Sequence, residues 1–291
     1  MTPLVAVAVL VAALTHATWN AIAHTIRDQL LAFTLIAGGG AALGAVAACF
    51  APLPHAAAWP YLGVSAALHI AYQALLMRSF SLGDFGQMYP IARGTAPLVV
   101  TVLAALFVGE KLDAWQAAGV AVASAGLVGV ALWGIKGSRT KPGTEPRTKP
   151  HWPALVAALA TGLSIAAYTV VDGVGVRNAG SAVSYLAWLM ILEGVLIPAY
   201  ALHVRGARVL LPQLRPHAAL GLLGGFLSVV AYGLVLWAQT RAALAPIAAL
   251  RESSIIVGAA IGAVFFKERF GTPRIAAAGL MVVGIGLMLH T

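Results

Sequence analysis

The chain has little of what a soluble enzyme needs. Only 9% of its 291 residues are charged, where soluble domains hold roughly 25%. Cysteine is almost absent: Cys49 stands alone in an apolar run, which excludes a disulfide frame and a metal–thiolate site. Long hydrophilic stretches are missing too, apart from the linker from Lys136 to His151. No His/Glu pair has metal-ligand spacing, and no GxSxG, Walker or GxGxxG context occurs, so neither an enzyme nor a cofactor or metal site has support. A net charge of +9 invites a nucleic-acid partner. The basic residues are scattered over loops, however, rather than gathered on a helix among aromatics, so no such partner is expected.

What the chain does have is apolar sequence: 60% of residues are hydrophobic and the mean hydropathy is +0.90. A hydrocarbon core about 30 Å thick needs around 20 apolar residues per crossing. Ten runs qualify, at 4–23, 29–51, 60–80, 88–108, 114–135, 153–173, 181–202, 217–239, 244–266 and 273–290. They leave no room for a soluble domain. The first run has no Lys or Arg before it and is expected to be a retained span, not a cleaved signal.

The stretch from Tyr89 to Gly129 occurs twice. Shifted by 158 residues, Arg93 falls on Arg251, Glu110 on Glu268, Lys111 on Arg269 and Gly126 on Gly284. Five is odd, so a second five-helix unit enters the bilayer upside down. The expected fold is an all-α integral membrane protein, ten transmembrane helices in two inverted five-helix repeats around a central cavity. Residues 1–135 form the first repeat, 136–152 a hydrophilic cytoplasmic linker, and 153–291 the second repeat. With the amino terminus outside, inward loops hold 13 of the 18 basic residues and outward loops 3, with Arg93 and Arg251 left inside spans. The positive-inside rule then puts both termini on the non-cytoplasmic side of a bacterial-type cytoplasmic (inner) membrane.

Polar residues inside lipid are costly unless they face a partner or a wet cavity. His16, Trp19 and Asn20 share one helical face, as do His69, Tyr72 and Gln73. With Tyr89, Tyr168, Trp188, Tyr232, Trp237 and Gln239 they are the candidate lining of the cavity. Trp59, Tyr61, Trp115, Trp133 and Trp152 are read as interface belts. Arg93 and Arg251 are expected near opposite membrane faces. There each closes one mouth of the cavity, holds a substrate carboxylate through a two-donor fork, or snorkels to headgroups. Glu252 is a candidate for proton coupling or for pairing with a base on another span. Glu193 reads as a helix-to-helix hydrogen-bonding residue that could also couple protons. Asp84 and Asp172 are expected at the membrane interface. His16 and His69 either titrate near neutral pH or simply hydrogen-bond.

The proline-marked segment ending in Gly109-Glu110-Lys111 is followed by a Gly-rich helix. With its second copy and Trp19-Asn20 in the first span, it resembles the EamA-type branch of the drug/metabolite transporter superfamily, over essentially the whole chain. It is similar to bacterial amino-acid and metabolite exporters, the aromatic amino-acid exporters included. The resemblance implies a ten-helix basket whose third, fourth, eighth and ninth spans, with faces of the first and sixth, line the cavity. It implies export of a small amphiphilic metabolite, amino acids foremost, by alternating access, with the lipid bilayer and protons as further partners. A proton-coupled exporter of hydrophobic cations or drugs, built on an intramembrane carboxylate, remains the alternative. One departure is visible: Lys267 stands where the first copy has Gly109, and no proline matches Pro97, so unlike movements of the two halves are expected.

Overall fold

The computed structural model describes every residue except 27, 83–84, 138–151, 258–271 and 291; the side chains of 24, 76–77, 79–92, 130–137, 154 and 272–275 are also outside the description. Arg27, Asp84, the tip of the linker and the Lys267-Glu268-Arg269 turn therefore lie outside the described residues, as do the side chains of Tyr89, Trp133 and Arg274.

The described chain is helical throughout. Its helices are α1 (Pro3–Thr25), α2 (Gln29–Phe50), α3 (Trp59–Leu82), α4 (Phe85–Leu103), α5 (Ala114–Gly137), α6 (Trp152–Asn178), α7 (Ala182–Arg205), α8 (Ala207–Leu214), α9 (Ala218–Gln239), α10 (Leu244–Arg251) and α11 (Thr272–Leu289). Helix is the element this composition permits, because in hydrocarbon each backbone polar group must be satisfied within its own segment. Among the described residues, five helical stretches are long and apolar enough to cross a membrane: Pro3–Ala23, Gln29–Phe50, Leu155–Asn178, Ala182–Arg205 and Ala207–Gln239. Shorter apolar stretches are Arg93–Val108, Ala114–Gly129 and Ala276–Leu289. Three details depart from the sequence reading. Helix α5 runs on through Lys136 and Gly137, α6 continues past 173 to Asn178, and the turn expected after α7 contains the short helix α8.

The main packing pairs are α5 with α11, α2 with α7, α3 with α6, α1 with α9, and α4 with α6. Small residues make the closest approaches, as they do where lipid offers helices no hydrophobic reason to associate. A Cβ on Gly225 of α9 would stand 3.0 Å from the backbone of Gly39 and Gly40 in α2, and one on Gly119 of α5 would stand 2.6 Å from the Gly284 carbonyl in α11. All eight residues of α10 are buried, because α1, α4, α5, α6 and α9 pack around it. That short helix is the axis of the bundle.

Helix ends fall into two groups. At one end Met1 packs in the same cluster as Ala242, the His55 N–H reaches the Ala179 carbonyl, Arg177 meets Glu110, and Trp115 meets His290. At the other, Asp28 caps α2 by accepting the Leu31 N–H and takes both terminal nitrogens of Arg205, at 2.5 and 2.9 Å.

Candidate functional site

Helix α4 continues into a π-helical turn, Ala104–Val108, that closes on Gly109 with φ at +72°. That left-handed conformation suits glycine, and it aims Glu110 sideways into the second half. There Oε2 accepts the Leu244 N–H at 2.7 Å, capping α10, while Oε1 takes the Arg177 guanidinium at 2.8 Å. Arg177 also donates to the Gln239 and Ala242 carbonyls. Glu110, read from sequence as part of a turn, is a clasp between the halves.

Two turns further in, α10 breaks. It ends at Arg251, Glu252 and Ser253 form a turn, and helix resumes at Ser254. The Ser253 N–H reaches only the Leu250 carbonyl, at 3.1 Å. Non-helical backbone at this depth is tolerated where it is buried in protein or borders a cavity. Into the break comes Arg93 from α4, whose Nε donates to Glu252 Oε2 at 2.6 Å and whose Nη2 donates to Ser254 Oγ at 3.3 Å. The residues are sealed from solvent: Arg93, Arg251 and Glu252 are 2%, 4% and 1% exposed.

Arg251 is less well served. Its Nε and Nη2 are buried and donate to no partner among the described residues, and Glu252 Oε1 and the Ser253 hydroxyl are likewise without a hydrogen bond there. Its guanidinium carbon lies 5.9 Å from the centre of the Tyr168 ring. His16, stacked edge-on against Trp19 at 5.1 Å, is within electrostatic reach of both arginines. The expectation that Arg93 and Arg251 sit near opposite faces is thus corrected: they share one cluster. Helix α4 starts at Phe85, so Arg93 lies about 12 Å along it, and Arg251 lies about 10 Å along α10 at 1.5 Å per residue. Long side chains close the remainder. Neither snorkels.

A second polar tier adjoins the first through Tyr168. His69 stacks on that ring at 4.0 Å and meets Tyr232 edge-on at 5.5 Å, and Tyr72 touches it at 5.6 Å. Asp172, one turn beyond Tyr168 on α6, is fully buried. It accepts the Tyr185 hydroxyl at 2.8 Å and the Tyr232 hydroxyl through its other oxygen. Asp172 is therefore the hub of three helices, not an interfacial residue. Glu193 comes within 3.8 Å of His69 Nδ1.

Other candidates are placed elsewhere. Asn20 donates to the His16 carbonyl of its own helix, and Gln73 is half-buried on α3. Trp188 packs against a core cluster and meets Trp59 at 4.9 Å, while Trp59 itself stays 37% exposed. Gln239 is buried and donates to the Thr169 carbonyl at 3.4 Å. Trp237 lines a cavity of about 360 Å³ beside Arg177, Ser181 and Arg241 at the Glu110 end, with Arg241 over its ring at 4.6 Å. Ser65 is not singled out by the sequence, and Tyr185 and Ser254 stand out there only as polar residues within their spans. Serine and tyrosine in apolar runs carry no signal until a partner is known.

Residues 152–290 match the family model described as the EamA-like transporter family. The second half of the chain is an EamA-like transporter unit. The match over that half indicates a membrane transporter of the drug/metabolite type. No curated protein matches the sequence. One solved crystal structure, of a protein given no functional name, shares the fold of this chain with a TM-score of 0.75 and 16% identity, over 99% of this chain and 98% of that one.

Proposed function

We propose that the protein is a secondary transporter of the cytoplasmic membrane. It exports small amphiphilic carboxylates, amino acids with apolar or aromatic side chains foremost, by alternating access between two inverted five-helix halves. The observation that carries this reading is the charge count at the α10 break: among the described residues, two buried guanidiniums face one carboxylate. An uncompensated buried charge costs several kcal/mol. A substrate carboxylate placed against Arg251 removes that cost, and arginine's planar fork suits its two oxygens. Tyr168 and His16 lie beside the arginines, and Trp19 against His16 extends that aromatic surface for the rest of the molecule.

The inverted plan is supported by the packing. Helices α5 with α11 and α2 with α7 pair across the halves, and three further contacts come as mates: α3 with α6 and α1 with α9, α4 with α6 and α1 with α10, α2 with α9 and α3 with α7. An exchange of halves turns each into the other. Both termini lie with Glu110, Arg177 and Ala242 at one end of the bundle, which we take as the non-cytoplasmic end. Substrate entering the sealed cluster competes with Glu252 for Arg93, and the break after α10 lets the two parts of that span tilt separately. The clasp from Glu110 and Arg177 to Leu244 holds the outer end shut in this conformation.

The test is flux from proteoliposomes loaded with L-phenylalanine, L-leucine, a neutral sugar or tetraphenylphosphonium. Protein-dependent efflux of the amino acids that is lost in Arg251→Gln supports the reading. Efflux of tetraphenylphosphonium alone would replace it with the cation exporter.

A further inference from the structure

The Asp172 tier plays no part in carboxylate reading, yet it brings three titratable side chains together inside the bundle. Asp172 is satisfied as a carboxylate, with one tyrosine hydroxyl on each oxygen. Glu193, near the middle of α7, is not: its Oε2 is buried without a hydrogen bond. The nearest base is His69, whose Nδ1 lies 3.8 Å from that oxygen. The same nitrogen is 3.0 Å from the Ser65 carbonyl. The Ser65 hydroxyl lies 3.2 Å from it as well, so in the neutral ring Nδ1 either donates to the carbonyl or accepts from the hydroxyl, and in the protonated ring it donates to the carbonyl.

Among the described residues, few other charges face the pair. From α6 come Asp172 and Tyr168, from α7 Tyr185, from α9 Tyr232 and from α3 Tyr72. Helix α2, packed along α7, brings no acid, base or histidine. A proton has therefore one place in this tier where it lowers the charge imbalance, between a histidine and an unsatisfied acid.

We propose that His69 and Glu193 form a proton-binding pair, and that a proton held there strengthens carboxylate binding at Arg251 across the Tyr168 ring they share. The coupling half rests on the carboxylate reading above; the pair itself does not. Whichever of the two holds the proton, the local charge rises by one. The ring contacts place His69 within about 10 Å of the Arg251 guanidinium, where a unit charge at an effective dielectric near 20 changes an anion's affinity by about tenfold. Proton and carboxylate bind together, so outward flux carries a proton out and runs on the substrate's own gradient.

The pair is tested on purified full-length protein with histidine-selective isotope labelling, the His69 resonance being assigned by its loss in His69→Gln. The resonance is expected to respond to pH in the parent and to respond differently in Glu193→Gln, which removes the acidic neighbour. A resonance that stays still, or a response unchanged in Glu193→Gln, overturns the pair. Should Glu193→Gln not fold, Glu193→Asp, which retracts the carboxylate, is read the same way. The coupling is tested by L-phenylalanine binding: about tenfold tighter at the lower pH in the parent and flat in Glu193→Gln. Equal pH dependence in both overturns the coupling. Absence of L-phenylalanine binding at every pH overturns the substrate reading, and the resonance still decides the pair.

Discussion

Arg93 and Glu252 stand 159 residues apart in the chain and 2.6 Å apart in the fold, joining α4 of the first half to the break after α10 in the second. Breaking a buried pair leaves an uncompensated charge, at about 3–5 kcal/mol. Glu252→Gln is therefore expected to lower the unfolding temperature in detergent markedly and to abolish flux. The double change Arg93→Met with Glu252→Leu removes both charges and should recover most of the stability and none of the flux. A double variant as unstable as the single one would show that the pair is not what the cluster relies on.

Asp172 makes a similar claim without a cation. Asp172→Leu strands the Tyr185 and Tyr232 hydroxyls, each costing about 1–3 kcal/mol when buried without a partner. Adding Tyr185→Phe and Tyr232→Phe should restore much of the loss in thermal unfolding. No rescue would mean the hydroxyls find other partners.

Most of the secondary structure was legible because each apolar run has the length that lipid demands. The site was legible residue by residue but not in its pairing. His69, Tyr168 and Tyr232 were singled out by polarity within spans, and they do meet. Nothing local marks Arg93 as the partner of Glu252, since partners on different helices leave no periodic trace. Two placements failed because helix ends were misjudged. An apolar run ending at 173 makes Asp172 read as interfacial, but α6 runs on to Asn178. An apolar run starting at 88 makes Arg93 read as peripheral, but α4 begins at Phe85. Residues 207–214 were passed over as a turn; Leu210 anchors α8 there.

The ion pair between Asp28 and Arg205 gives a pH dependence outside the spans. The Arg205 guanidinium hydrogen-bonded to Asp28 holds that carboxyl below its ordinary range. A depressed acid contributes stability above its unfolded pKa, about 3.9, and the contribution is lost as pH falls through the lower folded value. The pair is partly exposed, so the effect is small. Asp28→Asn should flatten the acid limb of a stability-versus-pH curve and leave neutral pH nearly unchanged; an unaltered acid limb would remove the pair from the account.

Inversion of the halves is read from labelling. In a Cys49→Ser background, cysteines introduced at Thr2 and Glu145 should react with a membrane-impermeant maleimide from opposite surfaces, because five crossings separate them. Reaction from the same surface would undo the inverted plan.

The most direct test of carboxylate reading compares two halves of one substrate, 3-phenylpropionate and phenethylamine, in equilibrium binding to the parent and to Arg251→Gln. The account predicts that the anion binds at least about tenfold tighter than the amine, as a charge-assisted fork contributes, and that Arg251→Gln erases the difference. Tighter binding of the amine, or an anion preference that survives Arg251→Gln, would contradict it.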